Sequence, residues 1–269
     1  MQRPLILVTN DDGIESRGLW AVVEAVLPLG EILVVAPDGQ WSGAGRAYNS
    51  GGTHRIVPQE REIDARKIMA YAIDGSPALV IFRAVLELAP RRPALVVSGV
   101  NFGFNLGTDV TISGTVGAAL EAASFGIPAL AISLEMDPIH HLTGDGSADY
   151  SATMRSVRQF ARHLLSGGLP PDVDILNINI PRSATPQTPW RLTRLFRGRY
   201  FVPRHRDGHE DADSPAYMPR EDFSLVEADT DIWAVRVDHV VSVTPLSQDL
   251  TSRVDLTDVK ACLQGKPAA

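Results

Sequence analysis

From the N-terminus to about residue 134, short unbroken apolar runs alternate with longer amphipathic stretches, and no other feature of the chain constrains its fold as tightly. A run without polar alternation is a strand covered on both faces, and a helical stretch between two such runs is a crossover. The alternation therefore demands a parallel sheet with helices on either side. Strands are expected at 5–9, 32–36, 68–73, 94–98 and 129–134. Between the first two, Leu19, Val22, Val23, Val26 and Leu27 recur at helical spacing, and Gly30 sits where a helix C-terminus favours glycine. Pro77 opens a second helix through Leu79, Phe82, Val85, Leu86 and Leu88, which Pro90 stops. A third begins at Ser113-Gly114-Thr115, continues through the helix formers of 118–123 and ends at Gly126.

Further on, Tyr150, Met154, Val157, Phe160 and Leu164 mark another helix, followed by a strand at 174–180 that Pro181 closes. The texture then changes. Residues 190–201 and 233–243 read as extended, with the aperiodic polar stretch 205–221 between them and a short helix near 256–263. The expected class is α/β, a Rossmann-like, doubly wound, mostly parallel sheet with a β-rich C-terminal extension. The change of texture divides the chain into a core, residues 1–185, and the β-rich extension, residues 186–269.

Charge and cysteine content narrow the function. With 25 Lys+Arg against 32 Asp+Glu the net charge is −7, which argues against a nucleic acid polymer as partner. One cysteine, Cys262, excludes an intramolecular disulfide and a cysteine zinc cluster, and fits a reducing cytoplasm. The apolar run at 5–8 is too short for a signal-peptide core, and no stretch approaches the roughly 18 residues of a membrane span. A cytoplasmic chain without membrane contact is expected.

The chemistry concentrates at strand ends, where open α/β sheets bind ligands. Thr9-Asn10-Asp11-Asp12-Gly13 lies where the first strand gives way to the first helix. The pleat breaks there, so both carboxylates can face one point, and two adjacent carboxylates are naturally held by a shared cation. The alternative is that one caps the helix and the other is solvated. The second strand runs into Gly39-Gln40-Trp41-Ser42-Gly43-Ala44-Gly45, which is either a surface loop or the source of a hydroxyl for an oxygen shell. The third segment runs from Ser98 through Asn101, Gly103, Asn105, Gly107 and Asp109 to Ser113-Gly114-Thr115. Its glycine-freed N–H groups and the helix N-terminus can cradle phosphate, or the loop can be structural with a serine cap. It matches neither a P-loop, since it holds no lysine, nor a dinucleotide fingerprint. The seven histidines are scattered outside these loops, and the His140-His141 pair reads as exposed loop.

Together the segments N-D-D-G at 10–13, A-P-x(4)-S-G at 36–43 and S-G-x-N-x-G-x-N-L-G-x-D-V-x-x-S-G-T at 98–115 resemble the SurE stationary-phase survival family of nucleotidases. So do Leu176-Asn177-Ile178-Asn179-Ile180-Pro181 and Val241-Ser242-Val243-Thr244-Pro245-Leu246. The resemblance implies a metal-dependent phosphatase, a phosphoric monoester hydrolase of the 5′- or 3′-nucleotidase kind, that acts on nucleoside monophosphates and in some members on short polyphosphate. It implies one divalent cation, Mg or Mn, per subunit of a homodimer or homotetramer that exchanges a β-hairpin and C-terminal elements. Carried over by motif, Asp11, Asp12, Ser42 and Asn101 are the metal ligands, Asp11 and Asp12 the catalytic residues, and Gly43, Asn105, Ser113, Gly114 and Thr115 the phosphate contacts. The chain departs from the family at Gly45-Arg46-Ala47-Tyr48, Leu79-Val80 and Ile112; an inward Arg46 would favour a more anionic substrate. A phosphoryl-ligand binding or regulatory protein that keeps the site without turnover is the alternative.

Overall fold

The first strand, β1 (Leu5–Thr9), lies in the interior of a nine-stranded sheet, and every later element is placed relative to it. The structure is a computed structural model that describes residues 2–49, 51–136, 148–204 and 216–265. The chain continues through α1 (Arg17–Val26), β2 (Glu31–Pro37), the antiparallel pair β3 (Ile56–Ile63) and β4 (Arg66–Ile73), α2 (Pro77–Arg83) and β5 (Leu95–Phe102). Then come α3 (Gly114–Ser124), β6 (Ala129–Leu134), α4 (Ser151–Leu165), β7 (Ile175–Ile180) and β8 (Trp190–Leu192). The remaining elements are β9 (Phe201–Arg204), β10 (Ala216–Pro219), α5 (Asp231–Arg236), β11 (Val241–Leu246) and α6 (Leu256–Leu263).

The sheet order is β3-β4-β2-β1-β5-β6-β7-β11-β8, and the stretch from β4 to β7 is entirely parallel. The chain winds outward from β1 to β2 and β4, then returns to the other side of β1 to lay down β5. The carboxyl ends of β1 and β5 therefore flank a topological switch point, the place where such sheets form a crevice. Alternation within β1 sends Ile6 and Val8 into a core shared with α1 and α4, and Leu5 and Leu7 into one shared with α2 and α3. The sheet is thus an α/β doubly wound one. No helix among the described residues is long and apolar enough to cross a membrane.

Strands 5–9 and 129–134 and helix 256–263 match the expected bounds, because unbroken apolar runs and a capped amphipathic turn leave little ambiguity. Several details differ. Gly30 has no positive φ; a Cβ there would lie 2.9 Å from the Ile6 side chain, so it serves close packing rather than helix termination. Gly126 does terminate α3: it has φ +67°, its N–H donates to Ala123 O, and the next N–H, of Ile127, reaches Ala122 O. The second helix runs as α-helix only to Arg83, then as one π-helical turn over Ala84–Leu88. Residues 233–243 are not extended throughout, because Trp233 lies inside α5. Asp231 accepts the N–H groups of Ile232 and Phe196, and Ile232 and Val235 pack onto Phe104 and Leu106, so tertiary contacts outweigh the strand preference of that segment. The strand β3 was not anticipated. Of the aperiodic stretch expected at 205–221, residues 205–215 lie outside the described residues, as does the His140-His141 pair.

Candidate active site

The turn after β1 is built by its own residues. Asn10, fully buried, donates from Nδ2 to Gly13 O at 2.9 Å and accepts the Gly13 N–H at 3.2 Å. Gly13 has φ +96°, a conformation other residues rarely adopt. Ile14 N–H donates to Pro37 O at 2.8 Å and ties the turn to the end of β2. The helix α1 starts only at Arg17 after Ser16, so neither aspartate caps it.

Both carboxylates instead turn toward the switch point. Asp11, 3% exposed, accepts at Oδ1 from the Thr115 hydroxyl at 2.6 Å, in the first turn of α3. A Cβ at Gly114 would stand 2.8 Å from the Asp11 side chain, so only glycine permits this approach of helix and carboxylate. Asp12 accepts the Phe102 N–H at Oδ2, 3.3 Å, from the end of β5, and a further hydrogen bond from Gln40. The Gln40 amide also donates to Ser42 Oγ at 3.1 Å, which links Ser42 to the pair. In β5 the register against β6 shifts between Ser98 and Asn101, an irregularity that re-aims the strand end. Asn101 follows it and donates from Nδ2 to Gly103 O at 2.9 Å, which leaves its side-chain oxygen for other partners.

The electrostatics of the pair call for a positive charge. Burial pushes the Asp11 carboxyl above the usual range, although the Thr115 hydroxyl and N–H oppose the rise. Burial and the neighbouring Asp11 charge push Asp12 up as well, against the Phe102 N–H and Gln40. The Asp12 charge reaches Tyr150, at the start of α4, whose phenol burial and this charge raise to about 12. Among the described residues no ion pair is made to either aspartate. Nor does any group of three or more His, Cys, Asp or Glu gather among them. A site of one buried and one half-buried carboxylate, a hydroxyl and an amide oxygen fits a hard divalent cation, which would take the place of the missing counter-charge.

The residues expected at a phosphate are brought to the same edge with unequal freedom. Ser113 caps α3, accepting the Val116 N–H at 3.1 Å. The hydroxyl of Thr115 is engaged by Asp11, whereas Gly114 holds a first-turn N–H of the kind that has no partner within a helix. Gly43 is exposed, at φ +79°. Asn105 is 8% exposed and acts from beneath. Its N–H donates to Asn179 Oδ1, its carbonyl accepts from both Asn177 and Asn179, and its amide donates to Ser133 Oγ. Arg46 does not point inward to a substrate; it pairs with Glu121. Sequence reasoning missed Gln40, Glu121, Tyr150 and the Thr115 contact. Of these only Glu121 had a local signal, as the single charged residue of an alanine-rich helix.

The family model described as Survival protein SurE matches residues 6–201. The chain is 40% identical over 267 residues to a protein of Thermococcus kodakarensis named 5′-nucleotidase SurE, covering 97% of this chain and 99% of that one. It is 38% identical to the protein of the same name in Methanocella arvoryzae, covering 96% and 97%. The crystal structure of the Sure protein from Aquifex aeolicus superposes with a TM-score of 0.72 at 32% identity, covering 97% of this chain and all of that one.

Proposed function

Because the chain belongs to the SurE family, we propose that it is a metal-dependent phosphoric monoester hydrolase that acts as a nucleotidase on nucleoside monophosphates. The observation that carries this reading is the pair of buried Asp11 and half-buried Asp12, which lacks a cationic side chain among the described residues and sits at the switch point of the sheet. Asp11, Asp12, Ser42 and Asn101 would hold one Mg or Mn ion per subunit. When bound, such an ion polarises a phosphoryl oxygen and acidifies a water. Asp11 would orient the attacking water and accept its proton. The N–H groups of Gly43 and Gly114, with Ser113 and Thr115 at the positive end of α3, receive the phosphate, and Asn105 supports the loop beneath it.

We assign the core, 1–185, to the chemistry and 186–269 to assembly into a homodimer or homotetramer, since α6 buries none of its side chains within the chain. The test is a panel of nucleoside 5′- and 3′-monophosphates and short polyphosphate, each with Mg, Mn and Co. Asp11→Asn and Asp12→Asn should each lower metal-stimulated phosphate release by at least about 100-fold while the circular dichroism spectrum is kept. Unchanged turnover in both variants would sink the reading. Nucleotide binding by calorimetry without release in any metal would replace it with a phosphoryl-ligand binding protein.

A further inference from the structure

Glu121 lies on α3, beyond the residues that meet Asp11, and is 3% exposed. A buried carboxylate persists only where partners compensate it. Its two side-chain partners both come from the loop after β2: Arg46 Nε donates to Oε2 at 2.8 Å, and the Tyr48 hydroxyl donates to Oε1 at 2.5 Å. Shape reinforces the attachment. Gly117, one turn before Glu121, lies so close to the loop that a Cβ would overlap the Gly45 carbonyl and stand 2.8 Å from Arg46 N. Gly45 N–H donates to Ile112 O at 2.9 Å, and Ser76 Oγ donates to Ala47 O at 2.5 Å. At the other end of the loop, Trp41 N–H donates to Asp11 O at 2.7 Å. Only Ser42, Gly43 and Ala44 lie between these two anchorages. With exposed Ser42 and Gly43 held locally by little more than Gln40, their position depends on where the flanks are pinned.

We propose that Glu121 is a positioning residue: through Arg46 and Tyr48 it holds the loop so that Ser42 and Gly43 are presented to Asp11 and Asp12, and it thereby sets cation affinity. This rests on the nucleotidase reading of the same site. Arg46 then acts on the loop, and its guanidinium is withheld from the substrate by the paired carboxylate.

Glu121→Gln keeps the side-chain volume and an acceptor for Tyr48 but removes the charge opposite Arg46. In the metal-free protein, amide exchange at 42–44 should rise. Titration with Mn(II), followed by the electron paramagnetic resonance signal of free Mn(II), should show affinity weakened about tenfold, as for partners that orient metal ligands. At saturating Mn(II) the loss in kcat should be smaller than the loss in Mn(II) affinity. Arg46→Met, which leaves the buried Glu121 carboxylate with Tyr48 alone, should lower the melting temperature and reproduce both changes, and combining it with Glu121→Gln should add little further. A lowered melting temperature with unchanged exchange at 42–44 and unchanged Mn(II) affinity would make Glu121 a plain structural staple and overturn the proposal, while the nucleotidase reading stood. Additive losses in the double variant would also overturn it. A wild-type chain that neither binds Mn(II) nor releases phosphate would instead overturn the reading beneath it.

Discussion

At the scale of single residues, the site is shaped by what surrounds Asp11. Its carboxylate meets the Thr115 hydroxyl and the Thr115 N–H, so the positive end of α3 is directed at a protein carboxylate as well as at the space before it. Thr115→Val keeps the shape and removes the O–H donor. The Asp11 carboxyl should then rise further, with Mn(II) affinity reduced several-fold and stability lowered by about 1–2 kcal/mol, measurable by metal titration and urea unfolding. Gly114→Ala is expected to be harsher, because the added methyl would stand 2.8 Å from Asp11 and 3.1 Å from Trp41 O. Phosphate release should fall at least about tenfold, with a stability loss of about 1–3 kcal/mol, since both neighbours are backbone-anchored and yield little.

At the scale of elements, the glycine-rich segment after β5 is held in place by the C-terminal part of the chain. Asp109 accepts the N–H groups of Tyr200 and Phe201, and Asp231 accepts those of Gly107, Phe196 and Ile232. Phe104 and Leu106 enter a small core with Tyr200, Val226, Ile232 and Val235. Asp231→Asn would turn an N–H toward one of its three donors and should cost about 1–3 kcal/mol. The pH dependence of this side chain has an unusual sign. Burial holds the Asp231 carboxyl at about 6, above its ordinary 3.8, against the pull of its N–H donors. The native state keeps a proton that the unfolded chain loses, so this contribution to stability is fully present below about 4 and lost as the pH rises through about 6. Urea midpoints from pH 4 to 7 should therefore show a deficit of Asp231→Asn that narrows as the pH rises. On the far side of the loop, Asn179→Ala would leave the buried Asn105 N–H without an acceptor, again about 1–3 kcal/mol, and should raise amide exchange across 103–107.

At the scale of the whole molecule, the C-terminal arm is the part least accounted for by one chain. Leu250, Leu256 and Leu263 are 90%, 67% and 83% exposed, and no residue of α6 is buried. Sedimentation should find the full chain as a dimer or tetramer, and a chain ending after residue 246 should shift toward monomer. The centre of the sheet should behave in the opposite way. Leu130 is fully buried between β5 and β7, and Leu130→Ala should cost about 2–5 kcal/mol without altering assembly.

The sequence by itself determined the layered architecture, the strand ends and the three loops that meet at the switch point, because apolar runs, helical spacing and glycine placement are local signals that a chain carries in a window of a few residues. β1, β6 and α6 were legible to the residue for that reason. β3 was not: it is an edge strand of the sequence Ile-Val-Pro-Gln-Glu-Arg-Glu-Ile, with no fully buried residue and no apolar run to announce it. α5 was misread because its strand-favouring residues are held helical by Asp231 and by packing on Phe104 and Leu106. The partners of the site residues were likewise beyond local reading. Thr115 and Asp11 are 104 positions apart, Arg46 and Glu121 are 75 apart, and Gly107 and Asp231 are 124 apart. Which hydroxyl or N–H satisfies which buried carboxylate is decided only when packing has brought distant segments together, since a buried charge takes whatever donor the fold places beside it.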